Sequence, residues 1–162
     1  MDDQPGMPTV SITDVARRTI ADEATQSRDG LETGGILLGS DTLESIMISR
    51  AGGPGPRAHR GKHAFLRDLA YARQLADAAW REEGTQWVGE WHTHPSGDLI
   101  PSELDLRSYL RHLHDAELRL DRFVAVIVGL TPEAGVTAAT WLIERKHFRL
   151  VPLAVTTRPP SD

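Results

Sequence analysis

The sequence predicts an α/β chain of the α+β type: one layered domain in which a mixed, mostly antiparallel sheet is flanked by helices. Three observations carry that reading. The chain has 162 residues, enough to bury one proper core. Two segments, opening near Phe65 and near Ser102, place apolar residues at helical spacing. Around them lie shorter apolar segments, in the order helix, strand pair, helix, strand, helix, strands. No internal repeat, heptad pattern or linker divides the chain, so residues 9–155 read as the domain.

Residues 1–8 are polar with Pro and Gly and read as a flexible start. Residues 9–12 alternate weakly, as a short strand does. Thr13 or Asp14 can cap a helix through Val15, Ala16, Ile20 and Ala24, with Gly30 as its stop. Residues 34–39, with Ile36, Leu37 and Leu38, read as a buried strand, and 43–49 as its hairpin partner. Residues 51–63 are rich in Gly, Pro and Arg and read as a loop. Phe65, Leu69, Ala72, Ala76 and Ala79 predict a helix over 65–83. Residues 86–92 form a strand that leads into a loop near Pro95. Pro101 or Ser102 then opens a helix with Leu106, Tyr109, Leu113 and Ala116 on one face. Residues 123–128 are β-branched and apolar, as in a central strand. A turn at 132–135 leads to a strand at 136–143, and 148–155 reads as an edge strand. Residues 156–162 read as a disordered tail.

Composition narrows the function. Hydrophobic residues at 40% and charged residues at 25% describe an ordinary globular chain. A net charge of −5 without a long basic run argues against nucleic acid. Arg57, Arg60, Lys62 and His63 form a local basic cluster that reads as a solvated loop. The absence of cysteine rules out disulfides, thiol nucleophiles and cysteine-based zinc sites, and agrees with a reducing compartment. No stretch has the roughly 20 apolar residues a membrane span needs, and the start lacks a signal-peptide core. The expectation is a soluble, cytoplasmic protein.

The chemistry concentrates in Glu90-Trp91-His92-Thr93-His94-Pro95 and Pro101-Ser102-Glu103-Leu104-Asp105. Two histidines two apart on a strand face the same way, so their imidazoles can converge on one ion. Asp105 lies one turn inside the following helix and can return a carboxylate to them. Two His and one carboxylate are the ligand number of a catalytic zinc site with a fourth position for water. Non-haem iron uses the same set, so spacing does not name the metal. Glu32, ahead of an apolar strand, is a candidate proton shuttle, and the Ser102 hydroxyl a candidate oxyanion donor. Each has a plainer reading: surface histidines, a helix cap with an acidic first turn, a lone charge. Trp91 is packing or a substrate contact.

These pieces resemble the JAMM, or MPN-plus, metallopeptidases. The family signature is a distant Glu, His-x-His-Pro, seven residues, then Ser-x-x-Asp. Here it reads Glu32, His92-Thr93-His94-Pro95 and, after residues 95–101, Ser102 and Asp105. Glu32-Thr33-Gly34-Gly35 is similar to the family's Glu-x-Gly-Gly strand. The resemblance implies the MPN fold, a curved sheet sandwiched by helices with cytidine-deaminase-like layering. It implies a zinc ion on His92, His94 and Asp105, proton transfer by Glu32 and oxyanion stabilisation by Ser102. The implied substrate is the bond after the Gly-ended tail of a ubiquitin-like protein or its conjugate. Stand-alone bacterial members of this kind include deconjugases encoded beside conjugation enzymes in antiphage operons, and others that trim sulfur-carrier proteins. A non-catalytic MPN scaffold lacks the metal ligands this sequence keeps, and an iron oxygenase has no use for Glu32 or Ser102. An extended substrate tail lies along a strand edge in this family mode, with residues 51–65 as a candidate flap over the groove.

Overall fold

Thr13 ends one element and starts the next. Its backbone is extended and its hydroxyl accepts the Ala16 N–H at 3.2 Å, so strand β1 (Thr9–Thr13) passes directly into helix α1 (Asp14–Gln26). The computed structural model describes residues 6–133 and 135–157. Gly30 is not the helix stop. Ser27 closes α1 with its N–H on the Ala24 carbonyl, and Gly30 takes a φ of +78° in the loop beyond.

Strands β2 (Gly34–Asp41) and β3 (Ser45–Ala51) form the expected antiparallel hairpin. The stretch read as loop also holds structure: β4 (His59–Arg60) pairs with β5 (Phe65–Leu66). Helix α2 (Leu69–Glu83) therefore starts later than the apolar spacing predicts, and Phe65 belongs to β5. The reason is Asp68. It is the extended N-cap, and its carboxylate accepts the N–H groups of Tyr71 and Arg57, both at 3.1 Å. Next come β6 (Gln86–Thr93), α3 (Glu103–His114), β7 (Phe123–Leu130) and β8 (Val136–Ile143). Helix α3 stops short of Ala116, which is exposed.

The single predicted edge strand is two strands, β9 (Phe148–Val151) and β10 (Leu153–Thr156). Pro152 between them has no N–H for a ladder. β9 pairs antiparallel with β8, whereas β10 pairs parallel with β1. Thr156 thus lies in a strand rather than in the predicted tail. Residues 158–162 of that tail and 1–5 of the predicted flexible start fall outside the described residues.

The eight strands run β10-β1-β3-β2-β6-β7-β8-β9, four of the seven pairings being antiparallel. One residue joins β9 to β10, yet they stand at opposite ends of that order, so the sheet has to curl. Alternation divides its faces. Leu37 shares a core with Ile20 and Ala24 of α1, while Ile36 and Leu38 share one with Ala72 and Ala79 of α2. Tyr109 and Leu113 of α3 pack with Phe123 and Ile143. Helices thus cover both faces, as predicted. Among the described residues no helix is long and apolar enough to cross a membrane.

Candidate metal centre

Strand β6 sits mid-sheet between β2 and β7, with His92 opposite Gly34 on one side and Ile127 on the other. The close approach of β2 explains the glycine: a Cβ at Gly34 would stand 2.3 Å from the Trp91 carbonyl oxygen and 2.9 Å from the His92 Cβ. His92 and His94 are buried. The His94 N–H bonds the Val128 carbonyl at 2.9 Å, which carries the ladder one step past the end of β6. A loop turning at Gly97 (φ +79°) then delivers the chain to α3.

Ser102 caps α3 in a full capping box. Its hydroxyl accepts the Asp105 N–H at 3.1 Å, and Asp105 Oδ2 accepts the Ser102 N–H at 2.8 Å. The box fixes the Asp105 carboxylate against the histidines. His92 Nε2 and His94 Nε2 are 2.9 Å apart, and Asp105 Oδ2 lies 3.3 Å from the first and 3.1 Å from the second. Ligands about 2.0–2.1 Å from a tetrahedral zinc stand about 3.3 Å from one another. The three donor atoms therefore fit one ion, and they form the His/Asp group that can hold a metal.

The surroundings prepare the donors. His94 Nδ1 donates to the Asp98 carbonyl at 2.7 Å, so Nε2 is the nitrogen that can give its lone pair to a metal once its proton leaves. Burial is the largest single influence and opposes charge on both His94 and Asp105, yet their hydrogen bonds and neighbouring charges together outweigh it. His94 is raised, and the bonds from His92, His94 and the Ser102 N–H hold Asp105 far below the usual carboxylate range. The Asp105 carboxylate thus stays ionised, and the place beside it favours positive charge, which a divalent cation supplies.

Glu32 precedes β2 and is 6% exposed. The Thr33 N–H donates to the Thr93 hydroxyl at 2.9 Å and the Thr93 N–H to the Thr33 carbonyl at 2.8 Å, tying the Glu32 segment to the histidine strand. Burial pushes the Glu32 carboxyl up to about 7. The His94 charge pulls it back and the Asp105 charge adds to the rise. Glu32, His94 and Ser102 line one cleft of about 460 Å³, with Lys62 and His63 on its wall. A larger cavity of about 750 Å³, between α1 and β7–β10, has a mostly aliphatic lining that includes Ile12, Ile20, Val126 and Val128. It carries none of these groups, so the smaller cleft is the candidate site.

Five of the six predicted site residues thus come together: Glu32, His92, His94, Ser102 and Asp105. Trp91 does not join them. It is fully buried in the core on the α1 side, and its Nε1 donates to the Gly52 carbonyl at 2.8 Å, so it reaches no substrate. Nor is the basic cluster plain solvated loop: Arg60 is largely covered, bound to Asp29 and to backbone carbonyls. A further pair was unforeseen. Glu90, two residues before His92 and on the same face, makes a covered ion pair with Arg67, whose guanidinium lies 5.4 Å from the centre of the Trp87 ring. A charged residue in a central strand was its sequence signal.

Fold and site together define a class: a helix-covered mixed sheet with a candidate two-histidine, one-aspartate metal centre at a strand end. The chain belongs to the prokaryotic homologues of the JAB domain, whose family model matches residues 14–144. It is 36% identical over 103 residues to a protein of Enterobacter hormaechei subsp. hoffmannii named CD-NTase/cGAS isopeptidase, covering 62% of this chain and 57% of that protein. A Pseudomonas aeruginosa protein of the same name is 37% identical over 100 residues, covering 60% of this chain and 63% of that one. The match therefore spans less than two thirds of the length of these relatives. A solution structure of a Desulfitobacterium hafniense protein superposes with a TM-score of 0.70 at 18% identity, over 93% of this chain and 94% of that one. At that identity the likeness is one of fold.

Proposed function

We propose that this protein is a zinc-dependent isopeptidase or peptidase that hydrolyses the bond after the Gly-ended tail of a ubiquitin-like protein. The observation that carries the reading is the triangle of three donor atoms 2.9–3.3 Å apart, set in a cleft with a buried glutamate and a helix-capping serine. His92, His94 and Asp105 hold the ion. When bound, zinc lowers the pKa of a water molecule to about 7 and polarises a carbonyl.

The chain's own groups do the rest. Glu32, buried and readily protonated, takes a proton from the attacking water as oxygen adds to the carbonyl carbon. It returns that proton to the amine as the C–N bond breaks. The Ser102 hydroxyl accepts from the Asp105 N–H through a lone pair and keeps its own proton for the developing oxyanion. The relatives named as CD-NTase/cGAS isopeptidases support a protein conjugate as substrate; a defence setting with conjugation enzymes as partners is part of the proposal. The test incubates zinc-loaded protein with ubiquitin-like fusions from its own genome and reads the products by mass. Cleavage after the terminal Gly that stops with chelator is the expected result. Cleavage elsewhere, or cleavage that survives chelation, sinks the reading.

A further inference from the structure

We propose that Arg60 is a positioning residue that holds the Glu32 carboxyl at the metal centre, with Asp29 as its anchor; this rests on the reading of Glu32 given above. Residues 29–32 are a loop between α1 and β2, with no ladder of their own. The β4–β5 hairpin supplies the missing partners. Arg60 Nη1 and Nη2 grip the Asp29 carboxylate end-on at 2.9 Å each. Nη2 also donates to the Leu31 carbonyl at 3.3 Å and Nε to the Glu32 carbonyl at 3.1 Å. The Glu32 N–H in turn donates to the Gly61 carbonyl at 2.7 Å. Both backbone polar groups of Glu32 are thus held by two consecutive hairpin residues, and every guanidinium nitrogen of Arg60 is spent on this loop.

The planar fork matters here. Arginine can grip a carboxylate end-on with its two terminal nitrogens while Nε reaches a carbonyl, whereas lysine presents one compact charge. The Arg60–Asp29 pair is partly exposed, with side chains at 25% and 48%. An exposed pair adds little to global stability. Its work is local: it sets where the Glu32 backbone sits and so where the carboxyl points. Lys62 and His63, just beyond Arg60, line the cleft itself. One hairpin therefore both walls the cleft and fixes the proton-transfer group.

The experiment compares zinc-loaded wild type, Arg60→Ala and Arg60→Lys. Hydrogen exchange is read over residues 29–33 against β6, and kcat and KM are measured on a ubiquitin-like protein from the same genome fused through its Gly-ended tail. In Arg60→Ala, exchange over 29–33 should rise at least about tenfold with β6 unchanged. Its kcat should fall about 10- to 100-fold, the scale of a misplaced catalytic group, with KM and zinc content nearly constant. Arg60→Lys should fall between. Unchanged exchange over 29–33 overturns the proposal, as does an equal rise in β6, which would mark a merely structural residue. Loosening without loss of kcat also overturns it. If wild type cleaves no fusion, the peptidase reading fails, and the exchange measurement still decides whether Arg60 holds Glu32.

Discussion

Replacing Ser102 by alanine and by glycine separates the capping work of its hydroxyl from the proposed catalytic work. The hydroxyl accepts the Asp105 N–H at 3.1 Å, and either change removes that bond. As a helix cap, Ser→Ala costs about 1 kcal/mol, whereas Ser→Gly costs only a few tenths. For a chain of this size 1 kcal/mol shifts Tm by roughly 2–4 °C, so Ser102→Ala should melt measurably lower and Ser102→Gly hardly at all. The return bond, from the Ser102 N–H to Asp105 Oδ2 at 2.8 Å, is backbone and survives both changes, so zinc should stay bound. An oxyanion donor contributes about 10²–10³ in kcat, or about 2.7–4 kcal/mol. Both variants should lose that much, because neither has a hydroxyl to offer. The assay pairs steady-state turnover with melting and zinc analysis on the same samples. A glycine variant that keeps more than about a tenth of wild-type kcat would refute the donor role. A kcat loss that follows the Tm loss would assign the effect to the cap alone.

Three further outcomes follow from the geometry. Zinc at about 100 times its Kd should stabilise the wild type by about 2.7 kcal/mol and leave His92→Ala unmoved, while Glu32→Gln should keep the stabilisation and lose cleavage; thermal melts with and without chelator check this. Burial pushes His112 down to about 4, so its native form stays neutral where the unfolded residue, near 6.5, already binds a proton. Stability from this residue is complete above about 6.5 and is lost as pH falls toward 4. Allowing for its partial exposure, the loss is on the order of 1–2 kcal/mol, and His112→Gln should flatten it in urea titrations at pH 7 and 5. Gly34→Ala should cost about 1–3 kcal/mol or more, since its Cβ would meet the Trp91 carbonyl oxygen at 2.3 Å, and should weaken zinc binding by shifting His92; calorimetry and metal titration measure both.

What could be read from the sequence was local. His92 and His94 sharing a face follows from period-two geometry, and Ser102 with Asp105 from the rules of a helix start, so the spacing allowed a metal-sized cluster beside the plainer reading of surface histidines and a helix cap. Glu32 is a different case. Sixty residues separate Thr33 from the Thr93 hydroxyl it bonds, and only the family resemblance joined the two segments. The β4–β5 hairpin escaped because a two-residue strand has no period to detect, so Arg60 looked like a solvated charge. The helix predicted from Phe65 was a misreading of register: the apolar spacing is real, but Asp68 stops it from starting earlier. Trp91 sits next to a ligand in sequence, and the same alternation that aims His92 at the cleft aims Trp91 into the opposite core.

The parallel pairing of β10 with β1 has a kinetic consequence. Val10 finds its parallel neighbour in Leu153, almost the whole chain away. Until β10 docks, β1 has β3 on one flank and open amides on the other. Such distant pairings are slow to form because the closure entropy comes first and the contacts later. Docking of β10 is thus the step that covers this open border against pairing with another strand.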